Sequence, residues 1–380
     1  MLVERVSNAT DVSRYLTSMG VDDGGVSILA QKAAHYLISI KNLHVGGANI
    51  LKQDALSIGA DLGVPRGTVL AQTPEVDVLL IATKRQLLKL SKKEQSQPFG
   101  LRELASKLKD IAMATKPEKV AVMGIINAND DSFFSGSRFS GAAALQQIEA
   151  MIEDGATIID IGGVSSAPNA KEVTAEDELA RVAPIVDLIK SKALYERVAF
   201  SIDSYTPAVV AYALKGGFSI VNDITGLADD AICKLCAEYG ATAVIMHMQG
   251  TPQSMQKNPH YENILDEIYD FLSSRIQKAE KFGIAEVVVD IGIGFGKSLK
   301  DNYMLIQHLE HFLPLGKKIL VGASRKSMIG AIDNSPASER LPGTLAVHLK
   351  AVQNGAAILR VHDVKEHIQA IKIEEQFNTI

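Results

Sequence analysis

Side chains that could do chemistry recur in this sequence at the ends of short apolar runs rich in β-branched residues. In "MGIINANDDSFFSG" (residues 123–136) the run ends at Asn127 and small polar residues follow. Carboxylates suit a flat, nitrogen-rich heterocycle, whereas cationic side chains and an amide oxygen suit phosphate and a hard cation. The groups that end the runs are Asn127, Asp160, Asp203, Asn222, Asp223, Met246 or His247, Asp290, Ser324, Arg325, Lys326, Arg360, His362 and Asp363.

Eight such runs alternate with helical patterns from residue 120 onward, which predicts parallel strands joined by helices. The runs are residues 120–127, 157–163, 198–203, 219–224, 242–248, 286–292, 318–324 and 356–363. Eight strand–helix units in about 260 residues match the size of a (β/α)8 TIM barrel. A doubly wound sheet is the alternative, but the glycine-rich turn expected after its first strand is absent.

A barrel would bring these strand ends together, because all the carboxyl ends of its strands meet at one mouth. A single strand-end Asp can simply cap the next helix, so each one alone is weak evidence. Polar groups after all eight strands therefore predict an active site. The turn "DIGIGFGKS" (290–298) adds Phe295 as a candidate wall of that site.

Residues 1–115 form a separate region of the pattern, a small α/β N-terminal domain of unknown role before a catalytic domain at 116–380. "GVSILAQ" (25–31) and "VDVLLIAT" (76–83) are predicted strands. "ATKRQLLKLSKK" and "LRELASKLKDIAMA" are predicted helices, and "HVGGAN" (44–49) is predicted to be a turn. "KPEK" (116–119) is the expected linker.

The composition excludes several classes of protein. A net charge of −5 and the absence of a basic face argue against a nucleic-acid partner. No segment approaches the roughly 18 apolar residues of a membrane span, so we expect a cytoplasmic protein without a membrane partner. Cys233 and Cys236 form a CxxC inside an amphipathic stretch, which favours core packing over a redox pair or half a zinc site.

Several motifs together resemble dihydropteroate synthase, a pterin-binding TIM-barrel family that is the target of sulfonamides. The motifs are "MGIINANDDSFFSG", "DIGGVSSAP", "SIDSYTP", "VNDITG", "MHMQGTPQSMQ", "DIGIGFGK", "VGASRKSMIG", "ERLPGTLA" and "RVHDV". The resemblance covers residues 120 to about 372. It implies a transferase of folate biosynthesis that joins 6-hydroxymethyl-7,8-dihydropterin pyrophosphate to 4-aminobenzoate, with loss of pyrophosphate and help from Mg²⁺.

The resemblance also implies roles for individual residues, of which Asn127, Lys326, Arg360 and His362 are the catalytic set. Asp203, Asn222, Met246, Asp290 and Lys326 would bind the pterin. Asn127, Arg360 and His362 would bind pyrophosphate, with Asn127 also on the metal. The aminobenzoate would contact Ser166, Pro168, Phe295 and Ser327. Asp160 is expected to be a supporting group rather than a direct contact, and His247 is expected to be structural. A homodimer is expected because dimers are usual in the family.

Two loops depart from the family pattern. Asp130 replaces a proline and Ser135 replaces an Asp in the first loop, and Val164 to Ala167 replace Glu-Ser-Thr-Arg. We expect Asp130 or Asp131 to substitute for the missing Asp. The alternatives are a non-catalytic pterin-binding protein and a pterin-dependent methyltransferase on the same barrel. The methyltransferase would have no need of an aminobenzoate wall or an Arg–His pair for pyrophosphate.

Overall fold

The chain is described here by a computed structural model, which covers residues 3, 6, 11–128, 141–164, 173–252, 254–256 and 258–377. Contacts divide it into two compact units. One comprises residues up to Ala114 together with those from Glu375 onward, and the other is Thr115–Glu374. The connecting segment 114–120 contains neither helix nor strand.

The first unit is a small α/β fold around a three-stranded antiparallel sheet in the order β1-β3-β2. Leu51, Leu80, Leu87 and Leu108 are fully buried in its core. Its strands are β1 (His35–His44), β2 (Asp61–Gly63) and β3 (Glu75–Thr83). Its helices are α1 (Val12–Ser18), α2 (Asp23–Ala33), α3 (Val45–Ser57), α4 (Lys84–Lys93) and α5 (Leu101–Met113).

Two predictions for this unit are wrong. Residues 25–31 lie in helix α2, whose N-cap Asp22 accepts a hydrogen bond from the backbone N–H of Gly25. A short apolar run does not distinguish strand from helix, and here the capping side chain selects the helix. The "HVGGAN" stretch is not a separate turn, because β1 ends at His44 and α3 begins at Val45. The predicted strand at 76–83 and the two predicted helices are confirmed.

The second unit is a closed barrel of eight parallel strands, as predicted. Strand order around the barrel is β4-β5-β6-β7-β8-β9-β10-β11, and β11 pairs with β4 to close it. The strands are β4 (Ala121–Asn127), β5 (Ile158–Gly162), β6 (Ala199–Asp203), β7 (Ile220–Asp223), β8 (Thr242–Met246), β9 (Val287–Asp290), β10 (Lys318–Val321) and β11 (Ile358–Val361).

Helices follow the barrel strands and bury their apolar faces against them. They are α6 (Gly141–Glu153), α7 (Ala175–Ser191), α8 (Pro207–Lys215), α9 (Asp230–Tyr239), α10 (Ile264–Lys281), α11 (Leu299–Gln307), α12 (Ser327–Asp333), α13 (Leu341–Gln353) and α14 (Val364–Phe377). Cys233 and Cys236 are buried on α9 within this core, so the core-packing prediction is confirmed.

The barrel interior has an apolar layer and, nearer the carboxyl ends of the strands, a polar layer. Residues two positions apart on a strand face the same side, because side chains alternate between the two faces. Ile158, Ile220, Val288 and Ile358 belong to an apolar cluster separate from the outer core. Two residues further along the same strands come polar groups that therefore face the same way. These are Asp160, Asn222, Asp290 and Arg360. The period of two thus carries the polar layer to the mouth.

No helix in the described ranges combines the length and the apolar character that a membrane crossing requires.

Candidate active site

A cavity of about 760 Å³ opens at the carboxyl ends of the barrel strands. This volume lies within the usual range for a small-molecule site. Predicted site residues that line it are Asn127, Asp203, Phe295, Lys326, Ser327, Arg360 and His362. Asn222, Met246 and Asp290 are buried at the ends of their strands. Ser166 and Pro168 lie outside the described residues, as do Asp130, Asp131 and Ser135.

Arg360 on β11 bridges two carboxylates inside the barrel. Its Nε donates to Asp160 Oδ2 at 2.7 Å, and its Nη2 donates to Asp203 Oδ2 at 2.7 Å. Burial opposes the charge on Arg360, but the two carboxylates outweigh that effect and raise its pKa. Arg360 therefore carries a fixed positive charge at the cavity wall.

Asp160 is fully buried and accepts hydrogen bonds from two residues of the site. The Nδ2 atom of Asn222 donates to the same Asp160 Oδ2 at 3.1 Å. Asp160 thus contacts both the Arg360 guanidinium and the Asn222 amide. Burial raises the pKa of Asp203, and the charge of Arg360 partly offsets that rise.

Lys326 lies between Asp290 and Phe295. Its Nζ is 4.1 Å from the centroid of the Phe295 ring and donates to the carbonyl of Ile293. Burial lowers the pKa of Lys326 to about 7, although the Asp290 carboxylate works in the opposite direction. Asp290 in turn accepts a hydrogen bond from the N–H of Gly292 at 2.7 Å.

His362 is neutral at ordinary pH. Burial and the neighbouring Arg360 lower its pKa to about 3. Its Nδ1 lies 2.9 Å from the hydroxyl oxygen of Ser324, which also accepts from the backbone N–H of His362. Ser324 therefore orients an imidazole that lines the cavity.

Arg325 and Asp363 connect the loops that follow β10 and β11. Arg325 adopts a left-handed backbone conformation with φ of 54°, which costs about 1–2 kcal/mol for a residue other than glycine. Its backbone N–H donates to Thr344 Oγ1 at 2.9 Å, and its side chain binds Asp363 through two hydrogen bonds. These contacts hold the adjacent Lys326 at the mouth.

Two buried histidines behind the same loops form a chain of hydrogen bonds. His348 Nε2 accepts from the N–H of Ala323 at 3.0 Å, and His348 Nδ1 lies 2.8 Å from His367 Nε2. His367 Nδ1 lies 2.6 Å from the carbonyl oxygen of Asp363. Because a carbonyl only accepts, both rings are neutral with the proton on Nδ1. Burial lowers the pKa of each histidine, which is consistent with this assignment.

Lys297 was not predicted as a site residue, although it lies in the turn "DIGIGFGKS". Lys297 is only 3% exposed and lines the cavity. The pairs Arg325–Asp363 and His348–His367 were also not predicted. For Lys297, the signal in the sequence was its place inside a glycine-rich turn at the mouth of the predicted barrel. Nothing local in the sequence marks the two pairs, because each joins residues far apart in the chain.

Metal-binding capacity at the mouth rests on few protein groups. Within the described ranges no set of three or more His, Cys, Asp or Glu side chains is arranged to hold a metal ion. Asn127, half-buried at the end of β4, places its amide side chain on the cavity wall. Mg²⁺ commonly takes one or two protein oxygens and completes its shell with water and substrate phosphates. Asn127 thus fits a magnesium ion that arrives with a phosphorylated substrate.

The site as a whole combines fixed charge, hydrogen-bonding groups and an aromatic wall. Arg360 and the amide of Asn127 suit an anionic leaving group, and Asp203 suits donors on a heterocycle. Phe295 offers a flat surface for an aryl ring, stabilised by the ammonium of Lys326 over it. The arrangement can separate opposite charges during bond cleavage without an enzyme nucleophile.

The known proteins that this chain resembles are dihydropteroate synthases and other members of their family. Residues 123–362 match the family described as "Pterin binding enzyme". The bifunctional dihydropteroate synthase/dihydropteroate reductase of Helicobacter pylori is 40% identical over 373 residues, covering 98% of each chain. The dihydropteroate synthase of Haemophilus influenzae is 43% identical over 255 residues, covering 66% of this chain and 92% of its own.

Among solved structures, the dihydropteroate synthase of Thermus thermophilus in complex with 4-aminobenzoate is similar, with a TM-score of 0.61 and 34% sequence identity. The match covers 68% of this chain and 95% of that protein. Matches that cover about two thirds of this chain have the length of the barrel unit, Thr115–Glu374. The match to the Helicobacter pylori protein is long enough to include the first unit as well.

Proposed function

Since this chain belongs to the pterin binding enzyme family and groups there with dihydropteroate synthases, we propose that its barrel mouth makes 7,8-dihydropteroate. The substrates are 6-hydroxymethyl-7,8-dihydropterin pyrophosphate and 4-aminobenzoate. One observation supports the proposal most: Asp203, Lys326 and Arg360 line a single cavity together with Phe295. The reaction is a step of folate biosynthesis.

The pterin binds in the polar layer of the barrel. Asp203 and Asp290 accept hydrogen bonds from the ring's amino and N–H groups, and Asn222 contributes an amide. Met246, 3% exposed at the end of β8, packs against the ring. Lys326, attracted by Asp290, donates to an acceptor on the pterin.

The pyrophosphate binds at the cation side of the mouth. Arg360 is already charged and oriented by Asp160, so it needs no reorganisation when negative charge grows on the leaving group. His362 is neutral and can donate one N–H to a phosphate oxygen. Asn127 contributes an amide to the same cavity from β4, the strand that pairs with β11.

Magnesium fits this site with Asn127 as its protein ligand, together with phosphate oxygens and water. A bound Mg²⁺ would supply charge neutralisation for the departing pyrophosphate.

The bond changes follow from these positions. The C–O bond between the pterin methylene and the pyrophosphate breaks, and the electron pair leaves with pyrophosphate. The amine of 4-aminobenzoate forms the new C–N bond and loses a proton to solvent. Phe295 and Ser327 hold the aminobenzoate, with Ser166 and Pro168 as further contacts predicted from the sequence. Orientation of both substrates in one cavity can lower the barrier by roughly 7–11 kcal/mol.

The first of the two loops that depart from the family pattern is expected to supply a further carboxylate. Where the family pattern has an Asp late in this loop, this chain has Ser135. We expect Asp130 or Asp131 to take over, so the double variant Asp130→Ala, Asp131→Ala loses turnover and magnesium dependence. Unchanged kinetics in that variant would rule out the substitution.

A direct assay tests the synthase. The full chain is incubated with the pterin pyrophosphate, 4-aminobenzoate and MgCl₂, while pyrophosphate release and dihydropteroate are both measured. We expect one pyrophosphate per dihydropteroate. Pterin binding without product would favour a non-catalytic pterin-binding protein, and methyl transfer from a methylated pterin would favour the methyltransferase alternative.

A second activity is proposed for the chain as a whole, reduction of the dihydropteroate it makes. The supporting observation is coverage: the relative named as a bifunctional synthase/reductase matches 98% of this chain, whereas the synthase from Haemophilus influenzae matches only 66%. The additional third is residues 1–115, which we propose as a functional domain beside the catalytic domain at 116–380. The reduction adds a hydride from a reduced nicotinamide or flavin, plus a proton, to a C=N bond of the dihydropterin ring.

The reductase is tested with the full chain, dihydropteroate and NADPH, with and without FMN. Mass spectrometry should show a product two hydrogens heavier. The variant Arg360→Met should lose synthase activity but keep reduction if the two activities use separate sites. Absence of reduction under every condition would overturn this second proposal and leave the synthase untouched.

Dimerisation and cytoplasmic location stay predictions. Light scattering coupled to size-exclusion chromatography measures the first, and fractionation of cells measures the second.

A further inference from the structure

Lys297 is a buried lysine two residues after Phe295, the aromatic wall of the cavity. It lies in the turn after β9 with 3% exposure. Its Nζ donates to the carbonyl of Phe295 at 2.9 Å and to the carbonyl of His247 at 3.3 Å. The same Nζ lies 3.1 Å from His247 Nδ1. Three N–H groups of a protonated amine would thus meet three acceptors, although burial lowers the pKa of Lys297 to about 7.

His247 completes the contact from the neighbouring strand end. Burial, together with the nearby Lys297, lowers the pKa of His247 to about 3, which leaves the ring neutral. The ring packs edge-on against Phe271 of α10 at 5.0 Å. Lys297 therefore ties the loop after β9 to a residue that is itself held by packing.

Gly292 makes this approach possible. It has φ of 68°, and a Cβ at this position would lie 1.9 Å from the carbonyl oxygen of His247 and 3.2 Å from Lys297 Nζ. No side chain fits there. The glycine and the lysine thus serve one purpose, the close joining of the two loops.

Phe295 is consequently held by two lysines. Lys326 faces its ring at 4.1 Å, and Lys297 binds its carbonyl oxygen. Its N–H donates to the carbonyl of Gly292 at 3.1 Å, which closes the turn. We propose that Lys297 is a positioning residue that fixes Phe295 for the aminobenzoate ring. This inference rests on the proposed synthase activity.

The expected result is a selective loss of affinity for one substrate. In Lys297→Met the KM for 4-aminobenzoate rises about tenfold, because the wall loses its anchor. The KM for the pterin pyrophosphate and kcat each change less than threefold, because Asp203, Asn222 and Asp290 keep their own contacts. Lys297→Gln, which retains an amide donor, should show a smaller rise.

Lys278→Met is the matched control. Lys278 also donates to two backbone carbonyls, those of Leu227 and Ala228, at 2.8 and 3.1 Å. It lies on α10 and does not line the cavity. Its replacement should leave both KM values unchanged. Calorimetric binding of the pterin pyrophosphate to each variant shows whether the pterin pocket is intact. If Lys297→Met does not fold, Lys297→Gln carries the comparison.

The outcomes separate the two proposals. A wild-type chain without synthase activity would overturn the proposed function and this inference with it. An active wild type whose aminobenzoate KM is unchanged in Lys297→Met and Lys297→Gln would overturn the inference alone. Equal rises in both KM values would also overturn it, because they indicate a general structural role.

Discussion

Arg325 and Asp363 form a two-pronged ion pair that joins the loops carrying Lys326 and His362. The Nη2–Oδ1 distance is 2.7 Å and the Nε–Oδ2 distance is 2.9 Å. The side chains are only 6% and 15% exposed. Since each residue is next to a predicted catalytic group, the pair fixes the separation of the two groups across the mouth.

Loss of this pair should cost both stability and activity. In Asp363→Asn the buried guanidinium of Arg325 loses its carboxylate, which typically destabilises a protein by about 3–5 kcal/mol. Urea unfolding measures this change, and steady-state kinetics should show kcat/KM reduced at least about tenfold through misplacement of Lys326. The control is Asp77→Asn, which removes the exposed partner of Lys41 and should change neither quantity. Equal stability of the two variants would contradict the role of the buried pair.

Arg360 should contribute mainly to the bond-breaking step. Arg360→Met removes a preoriented charge from the leaving-group side, and such losses commonly reduce kcat by about 10²–10³. Single-turnover measurement of pyrophosphate release isolates this step. Arg275→Met, which removes a cation from the face of Phe271 on α10, is the matched control and should release pyrophosphate at the wild-type rate. A normal single-turnover rate in Arg360→Met would show that the charge lies elsewhere.

Magnesium removal should abolish synthase activity reversibly. EDTA is expected to stop pyrophosphate release, and added Mg²⁺ to restore it. Asn127→Ala should raise the Mg²⁺ concentration needed for half-maximal rate roughly tenfold, because only one protein oxygen is lost from a shell completed by phosphate and water. Asn49→Ala, in the first unit, is the control. An unchanged Mg²⁺ requirement in Asn127→Ala would remove Asn127 from the metal site.

Glu94 should make the first unit less stable as pH rises. This side chain is fully buried, and burial together with the carboxylate of Asp54 raises its pKa to about 7 from 4.5. Between these values the folded state holds a proton that the unfolded state has lost, so stability is greatest below pH 4.5 and falls as pH rises through 7. The loss is on the order of 3 kcal/mol, since one pKa unit corresponds to about 1.36 kcal/mol.

Hydrogen exchange of the α3 and α4 amides at pH 5 and pH 8 measures this effect. Glu94→Gln should remove the pH dependence and protect these amides better than wild type at pH 8. Glu103→Gln, an exposed residue paired with Lys107, serves as the control. Identical pH dependence in wild type and Glu94→Gln would exclude Glu94 as its source.

The barrel was predictable because its signals are local and repeated. Each strand is a short apolar run with a polar group at or near its carboxyl end, and eight repeats exclude most other arrangements. The first unit was harder, since residues 25–31 are equally apolar as strand or helix, and the Asp22 cap decided the outcome. Residues that line the cavity, such as Asn127 and Asp203, were accessible because they end predicted strands.

The side-chain contacts of these residues could not be predicted from the sequence in the same way. The ion pair between Arg360 and Asp160 joins residues 200 positions apart, and no pattern in either segment predicts it. The same holds for Lys297 and His247, which are 50 positions apart and meet only because Gly292 leaves space. Contacts made by the closed barrel depend on geometry that a linear pattern does not contain.

The pairing of β11 with β4 has a consequence for the order of folding. Arg360 reaches Asp160 and Asp203 only when the last strand of the barrel docks beside the first. Contacts across such long loops form slowly, because the chain must lose much of its freedom before they are made. We therefore expect the pairing of Arg360 with these carboxylates to form late in folding, and hydrogen exchange of the Arg360 amide would report closure of the barrel.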